Sequence, residues 1–84
     1  MTDAPRGGPD DARIAAEIGR ALAQRGVGKS ICPSEVARAL APDWRPLMDH
    51  VRRIAARMDD VRATQGTAEV DPVAARGPIR LRAR

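Results

Sequence analysis

The chain of 84 residues has almost no aromatic side chains: it contains no Phe, no Tyr and one Trp. It also has a single Cys, which cannot form an internal disulfide, so the fold does not depend on an oxidising compartment. No stretch approaches the ~18 apolar residues of a membrane span, and residues 1–9 lack the apolar run of a signal peptide. These absences predict a cytoplasmic protein that has no membrane partner.

The sequence also lacks the residue sets on which catalysis or metal binding depends. It has a single His, whereas a metal site needs three or four converging donors. No Ser/His/Asp set, glycine-rich phosphate loop or pair of carboxylates stands out. One small domain of this length has too small a core to enclose a substrate pocket of ~300 Å³ or more. We therefore expect no enzyme activity, cofactor, metal or small-molecule substrate.

Two single residues have both a structural and a functional interpretation. His50 lies on the flank of a predicted helix, where we expect a surface or boundary residue rather than a metal ligand. Cys32 lies at a predicted helix N-terminus and would act as a nucleophile only with a base beside it. We favour a half-buried structural thiol for Cys32.

Arginine supplies 14 of the 15 basic residues, and the net charge at pH 7 is +4. The planar guanidinium pairs bidentately with phosphate, so this composition is compatible with nucleic-acid binding. A chain rich in Ala, Arg, Gly and Pro is also what a GC-rich genome produces, and composition does not separate the two explanations. The surplus of positive charge is greatest in residues 61–84, which hold five arginines and two acidic residues.

Apolar spacing predicts two helices in the first half of the chain. Ile14, Ile18 and Leu22 form one apolar stripe in a helix that begins at the acidic residues 10–11 and ends near Arg25. The second helix begins with the most distinctive segment of the chain. Pro33 suits a first helical position, Glu35 follows Cys32 as in a capping box with a poor cap residue, and Pro42 stops the helix.

A third helix follows, for which we expect Asp43 to be the cap and Pro46 to lie in the first turn. Trp44 opens an apolar stripe, so we interpret it as a core anchor rather than as a platform for base stacking. The stripe continues through Leu47, Met48, Val51, Ile54, Ala55 and Met58. The opposite side of the helix is charged and carries Arg45, Asp49, Arg52, Arg53, Arg57 and Asp60.

After residue 60 the apolar period changes to two. Residues 61–64 and 79–82 alternate, which predicts two strands of a hairpin around a long loop from Gln65 to Pro78; residues 29–31 are suited to a short third strand. The predicted fold is mainly α with a small antiparallel β hairpin. The order of elements is that of a winged helix-turn-helix, with three helices plus a wing. The chain then divides into a disordered tail at residues 1–9, a single winged-helix domain at 10–82 and a tail at 83–84.

These residues resemble a small bacterial family of proteins with a domain of unknown function. The resemblance covers roughly residues 12–82 and implies a winged helix-turn-helix fold. It implies no established activity, substrate or functional residue. The segments that carry it are Cys32–Leu40, Trp44–Met48, Val51–Arg53 and Gly77–Arg82.

The leading functional hypothesis is binding of double-stranded DNA, as in a transcriptional regulator. In a winged helix the third helix enters the major groove and the wing contacts phosphates. The candidate nucleic-acid-binding residues are therefore the arginines of these two elements: Arg45, Arg52, Arg53, Arg62, Arg80 and Arg82.

Alternatives remain open for both groups of arginines. Asp49 and Asp60 nearly balance the charge of the third helix, so its charged side is equally well explained as a solvated helix face. The hairpin arginines are also suited to protecting the edge of a small sheet by charge. The second functional hypothesis is a protein-interaction module or homodimer scaffold that binds no nucleic acid.

Overall fold

The computed structural model describes residues 10–84, and the tail predicted at residues 1–9 lies outside this range. The described part of the chain contains three α-helices and four strands. In chain order the elements are α1 (Asp11–Arg25), β1 (Ser30–Ile31), α2 (Pro33–Leu40), a 3₁₀ turn (Arg45–Leu47), α3 (Met48–Arg57), β2 (Val61–Gln65), β3 (Ala68–Val70) and β4 (Arg80–Ala83). The fold is therefore mixed α/β.

Helix α1 begins and ends where the sequence predicts. The side chain of Asp10 accepts a hydrogen bond from the backbone N–H of Arg13 at 2.9 Å, which satisfies one of the amides left free at a helix start. Gly26 ends the helix with a φ of 107°, a conformation that favours glycine. The predicted apolar stripe is confirmed, because its three residues are buried: Ile14, Ile18 and Leu22.

Helix α2 begins at Pro33, which has no backbone N–H that needs a partner. The Glu35 carboxylate accepts a hydrogen bond from the backbone N–H of Cys32 at 2.9 Å. This contact is the side-chain half of the predicted capping box. The helix ends two residues before Pro42, as the sequence predicts.

The start of α3 differs from the prediction. Asp43 does not cap it; a 3₁₀ turn comes first, closed by a hydrogen bond of 2.9 Å from the Leu47 N–H to the Trp44 carbonyl. With Asp43 as the cap, Pro46 would be the third helical residue, and proline has no backbone N–H for the cap side chain to bind. The regular helix starts only at Met48.

The four strands form one antiparallel sheet in the order β1-β4-β2-β3. The prediction of a two-stranded hairpin is therefore wrong in extent. The predicted third strand is present as β1 and pairs with β4, and the segment predicted as a loop contains β3. Gly66, with a φ of 60°, allows the tight turn that returns the chain beside β2.

The core lies between the three helices and the inner face of the sheet. Val61, Ala63 and Leu81 are buried on that face, and the strand residues between them point the other way. The sheet continues to the end of the described chain, in the region that the sequence placed in a tail. Ala83 belongs to β4, and the backbone N–H of Arg84 donates to the Asp60 carbonyl at 2.8 Å.

Candidate nucleic-acid interface

The outer face of the sheet, which points away from the helices, carries arginines on two adjacent strands. Because side chains alternate along a strand, Arg62 of β2 and Arg80 and Arg82 of β4 lie on the side opposite the buried Leu81. The register places Arg62 directly opposite Arg82. Arg84 follows in the same alternation. We call Arg62, Arg80, Arg82 and Arg84 the outer arginine face.

Two of these arginines are held in place by neighbouring polar groups. Nε of Arg80 donates to the Ser30 hydroxyl at 2.9 Å, and its Nη2 donates to the Ser30 carbonyl at 3.1 Å. Arg82 donates to the Thr64 hydroxyl at 3.4 Å and to the Gly28 carbonyl at 3.3 Å. Each guanidinium group has five N–H donors, so both arginines keep donors for a further partner while their orientation is fixed.

Glu69 of β3 is the one acidic residue at the outward-facing strand positions of the described chain. Its carboxylate lies 3.0 Å from Nη2 of Arg84 and 3.9 Å from Nη1 of Arg62. One carboxylate therefore shares this side of the sheet with four guanidinium groups and contacts two of them, so the outer arginine face has a surplus of positive charge. Like charges directly opposite each other across two strands, as at Arg62 and Arg82, are unfavourable without a counter-charge.

The arginines of α3 lie on the helical side of the domain and have different surroundings. Arg52 donates hydrogen bonds to three backbone carbonyls of the connection between β3 and β4, those of Pro72 at 3.3 Å, Ala75 at 2.8 Å and Gly77 at 2.7 Å. These bonds fix the connection to α3. The Arg53 side chain, by contrast, is exposed and forms no hydrogen bond or ion pair with another described residue.

Arg45 lies in the 3₁₀ turn, where its guanidinium carbon is 4.6 Å from the centre of the Trp44 ring. The guanidinium carbon of Arg38, from α2, lies 4.4 Å from the same ring centre. Trp44 is half-buried and packs against the core, so its predicted role as a core anchor is confirmed. The sequence analysis missed Arg38, because contact between these two elements depends on how α2 packs.

The structure thus brings together only some of the residues predicted as nucleic-acid contacts. Arg62, Arg80 and Arg82 share one surface, whereas Arg52 and Arg45 lie on the helical side. Arg84 joins the outer face although the sequence placed it in a tail. The signal that could have found it is the alternation of arginines at every second residue from 80 to 84.

The isolated His and Cys have structural partners. Nε2 of His50 lies 2.6 Å from Oδ1 of Asp11, which links α3 to the start of α1. The Cys32 sulfur is half-buried and accepts a hydrogen bond from the Ser34 hydroxyl at 3.0 Å. Among residues 10–84, no three His, Cys, Asp or Glu side chains are close enough to hold a metal ion.

Two surface grooves accompany these features. One of about 610 Å³ lies between the end of α3 and the β2–β3 hairpin, and it is open to solvent. Charged residues of both signs line it: Asp59, Arg62, Glu69, Asp71 and Arg84. An apolar groove of about 320 Å³ lies beside Val27, whose side chain is fully exposed. None of the helices in residues 10–84 combines the length and apolarity of a membrane span.

Comparison with known protein families gives a match to the model described as "Protein of unknown function (DUF3253)", over residues 11–84. The chain belongs to the DUF3253 family. This confirms the expectation of a family of unknown function. A comparison with curated proteins gives no match.

The DUF3253 match begins with α1 and includes β4 and Arg84. The family region therefore contains the whole outer arginine face, together with the Arg38, Trp44 and Arg45 side chains. The N-terminal residues 1–9 lie before it.

Proposed function

We propose that this domain is a winged helix-turn-helix that binds double-stranded DNA, mainly through the phosphate backbone. Its topology supports the fold assignment. Strand β1 precedes two helices joined by a short connection, α2 and α3, and strands β2 and β4 follow them; these strands pair in the order β1-β4-β2. In this interpretation the chain from β2 to β4 is the wing, and β3 is an additional strand within it.

The outer arginine face carries the functional proposal. Guanidinium groups form bidentate hydrogen bonds with phosphate, and two of the four are already oriented by Ser30, Thr64 and Gly28. The positive charges of Arg62 and Arg82 lie directly opposite each other. The nearby carboxylate, that of Glu69, is shared between Arg62 and Arg84. A bound phosphate group would supply the missing negative charge.

The helix α3 contributes less to this binding than the sequence predicts. Three of the five N–H donors of Arg52 are bound to backbone carbonyls, which fix its guanidinium against the β3–β4 connection. Asp49, a carboxylate that few base edges accept, lies beside Arg53. Arg45 and Arg53 remain as candidate contacts. Because phosphates carry no sequence information, we expect affinity that depends strongly on salt and weakly on base sequence.

The test is a fluorescence-anisotropy titration of a labelled random duplex at 50–200 mM salt. The variant Arg62→Gln/Arg80→Gln/Arg82→Gln removes three guanidinium groups from the outer face. The slope of log affinity against log salt changes by about 0.9 per phosphate contact, so three lost contacts should flatten it by roughly 3. In the wild type, these three contacts should account for about a 40-fold fall in affinity between 50 and 200 mM salt, and the variant should lack this part of the salt dependence.

The control is Arg13→Gln/Arg20→Gln/Arg57→Gln, which removes the same charge from exposed residues of α1 and of the last turn of α3. Circular dichroism melting identifies any variant that has lost its fold. Equal losses in the two variants would mean that binding follows net charge alone and would refute a site on the sheet. Absence of binding by the wild type below ~100 μM would refute DNA binding altogether.

A pull-down from cell extract with and without nuclease separates this proposal from a protein-interaction module. If the proposal is right, the domain retains nucleic acid from the extract, and nuclease treatment removes it. A protein that stays bound after nuclease treatment, with no nucleic acid recovered from untreated extract, would favour the interaction module.

A further inference from the structure

The single tryptophan of the chain lies against two arginines whose side chains make no other polar contact within residues 10–84. Trp44 follows α2, and the guanidinium carbons of Arg38 and Arg45 lie 4.4 and 4.6 Å from its ring centre. Each distance is within the range of a cation–π interaction. The two arginines come from different elements, α2 and the 3₁₀ turn, so the fold itself assembles the cluster.

These two arginines differ from most others in the domain. Arg20, Arg25 and Arg57 pair with carboxylates. In the described part of the chain, the side chains of Arg38 and Arg45 donate no hydrogen bond and form no ion pair, although Asp43 is close in sequence. An aromatic ring contacts the flat face of a guanidinium and leaves its in-plane N–H donors free. Two oriented cations therefore present unused donors at the surface.

We propose that Arg38 and Arg45, oriented by Trp44, form a second contact for the phosphate backbone of nucleic acid. The free N–H donors lie in the guanidinium plane, the geometry that matches phosphate oxygens. The ring face is covered by guanidinium groups, which argues against stacking of a base on Trp44. This contact rests on the proposed function and extends it from the sheet to the connection between α2 and α3.

Trp44 provides a direct readout, because it is the only tryptophan in the chain. Phosphate binding to the two stacked arginines should change its fluorescence emission. The experiment titrates the full chain with a labelled random duplex and records anisotropy and Trp44 emission together. The variant Arg38→Gln/Arg45→Gln should flatten the salt slope by about 2, at 0.9 per phosphate contact. Its control, Arg13→Gln/Arg20→Gln, removes the same charge from α1.

A third variant, Arg38→Lys/Arg45→Lys, keeps both charges but loses the planar donor fork. Its affinity should lie between those of the wild type and the Gln variant, and its melting temperature shows whether the fold persists. In the contrary case, the wild type binds the duplex by anisotropy with no change in Trp44 emission and with the same affinity as the Gln variant. That result would overturn this second contact and leave the sheet contact standing. Absence of duplex binding by the wild type would overturn both.

Discussion

At the scale of single residues, and beside its bonds to hydroxyl and amide side chains, arginine makes three kinds of contact in this domain. Arg20 donates to the Glu17 carboxylate, Arg52 to backbone carbonyls, and Arg38 stacks on an indole ring. One side chain can do all three because the guanidinium has five donors in a plane and a flat, weakly hydrated face. The near absence of lysine therefore has structural consequences, since an ammonium group would replace few of these contacts.

Glu17 offers a pH test at this scale. The hydrogen bond from Arg20 holds the pKa of the Glu17 carboxyl below its ordinary value of 4.5. A carboxyl whose pKa is lowered by folding stabilises the folded state above its unfolded pKa and loses that contribution as the pH falls through its folded pKa. Wild type should therefore be slightly more stable than Glu17→Gln at pH 7, and the difference should shrink as the pH falls below 4.5 and through the lowered pKa of the folded state.

Urea unfolding of both proteins at a series of pH values measures this difference. The effect should be small because Arg20 is largely exposed and solvent screens the pair. A difference in stability that stays constant from pH 7 to pH 3 would show that the Glu17 charge makes no such contribution.

At the scale of elements, the connection between β3 and β4 depends on α3. Arg52→Ala removes three hydrogen bonds from a charged donor and leaves the carbonyls of Pro72, Ala75 and Gly77 without it. We expect the free energy of unfolding to fall by about 1–3 kcal/mol. The neighbouring change Arg53→Ala, at an exposed residue without such bonds, should alter it by less than about 0.5 kcal/mol.

Chemical denaturation of the two variants, with circular dichroism as the signal, checks this difference. Equal stability of the two Ala variants would mean that the Arg52 bonds contribute nothing net in water. A loss confined to Arg52→Ala identifies this side chain as the structural link between helix and connection.

Elements with a strong local signal were predictable from sequence. Helix α1 has a cap, an apolar stripe and a terminating glycine, and its bounds agree with the prediction. Strand β3 is only three residues long, and Val70 is its one large apolar residue. An alternating pattern was therefore not recognisable in the sequence. The start of α3 was mispredicted because Asp43 resembles a cap by type, while Pro46 has no backbone N–H for it to bind.

At the scale of the whole molecule, the arrangement of charge could be predicted only in part. Alternation along β4 places Arg80 and Arg82 on one face, and this is visible in the sequence. The pairing of Arg62 with Arg82 depends on strand register, and the capture of Arg52 by a distant connection depends on how α3 packs. Contacts of this kind join residues 20 or more positions apart, and a single sequence holds no local signal for them.

Glu69 tests whether the location of charge matters more than its amount. Glu69→Gln raises the net charge by one and releases Arg62 and Arg84 from their carboxylate. If the outer arginine face binds phosphate, this variant should bind a random duplex several-fold more tightly and show a steeper salt dependence. Glu17→Gln makes the same change of net charge on α1 and should leave the affinity nearly unchanged.

Anisotropy titrations of both variants at 100 mM salt provide the comparison. An increase in affinity is informative because damage to the fold would lower it. Tighter binding by both variants to the same degree would contradict a local effect of Glu69.

The hydrogen bonds that hold the β3–β4 connection should also affect how fast proteases cleave it. Arg52 and Gln65 together donate five hydrogen bonds to its carbonyls. Gln65 donates to the Arg76 carbonyl at 2.6 Å, and Arg52 donates to the Gly77 carbonyl at 2.7 Å. The peptide bond between Arg76 and Gly77 is one that trypsin recognises. An irregular segment is usually the first to be cut, since cleavage needs local opening. Here that opening requires five bonds to break, so digestion after Arg76 should be slow until the domain itself unfolds.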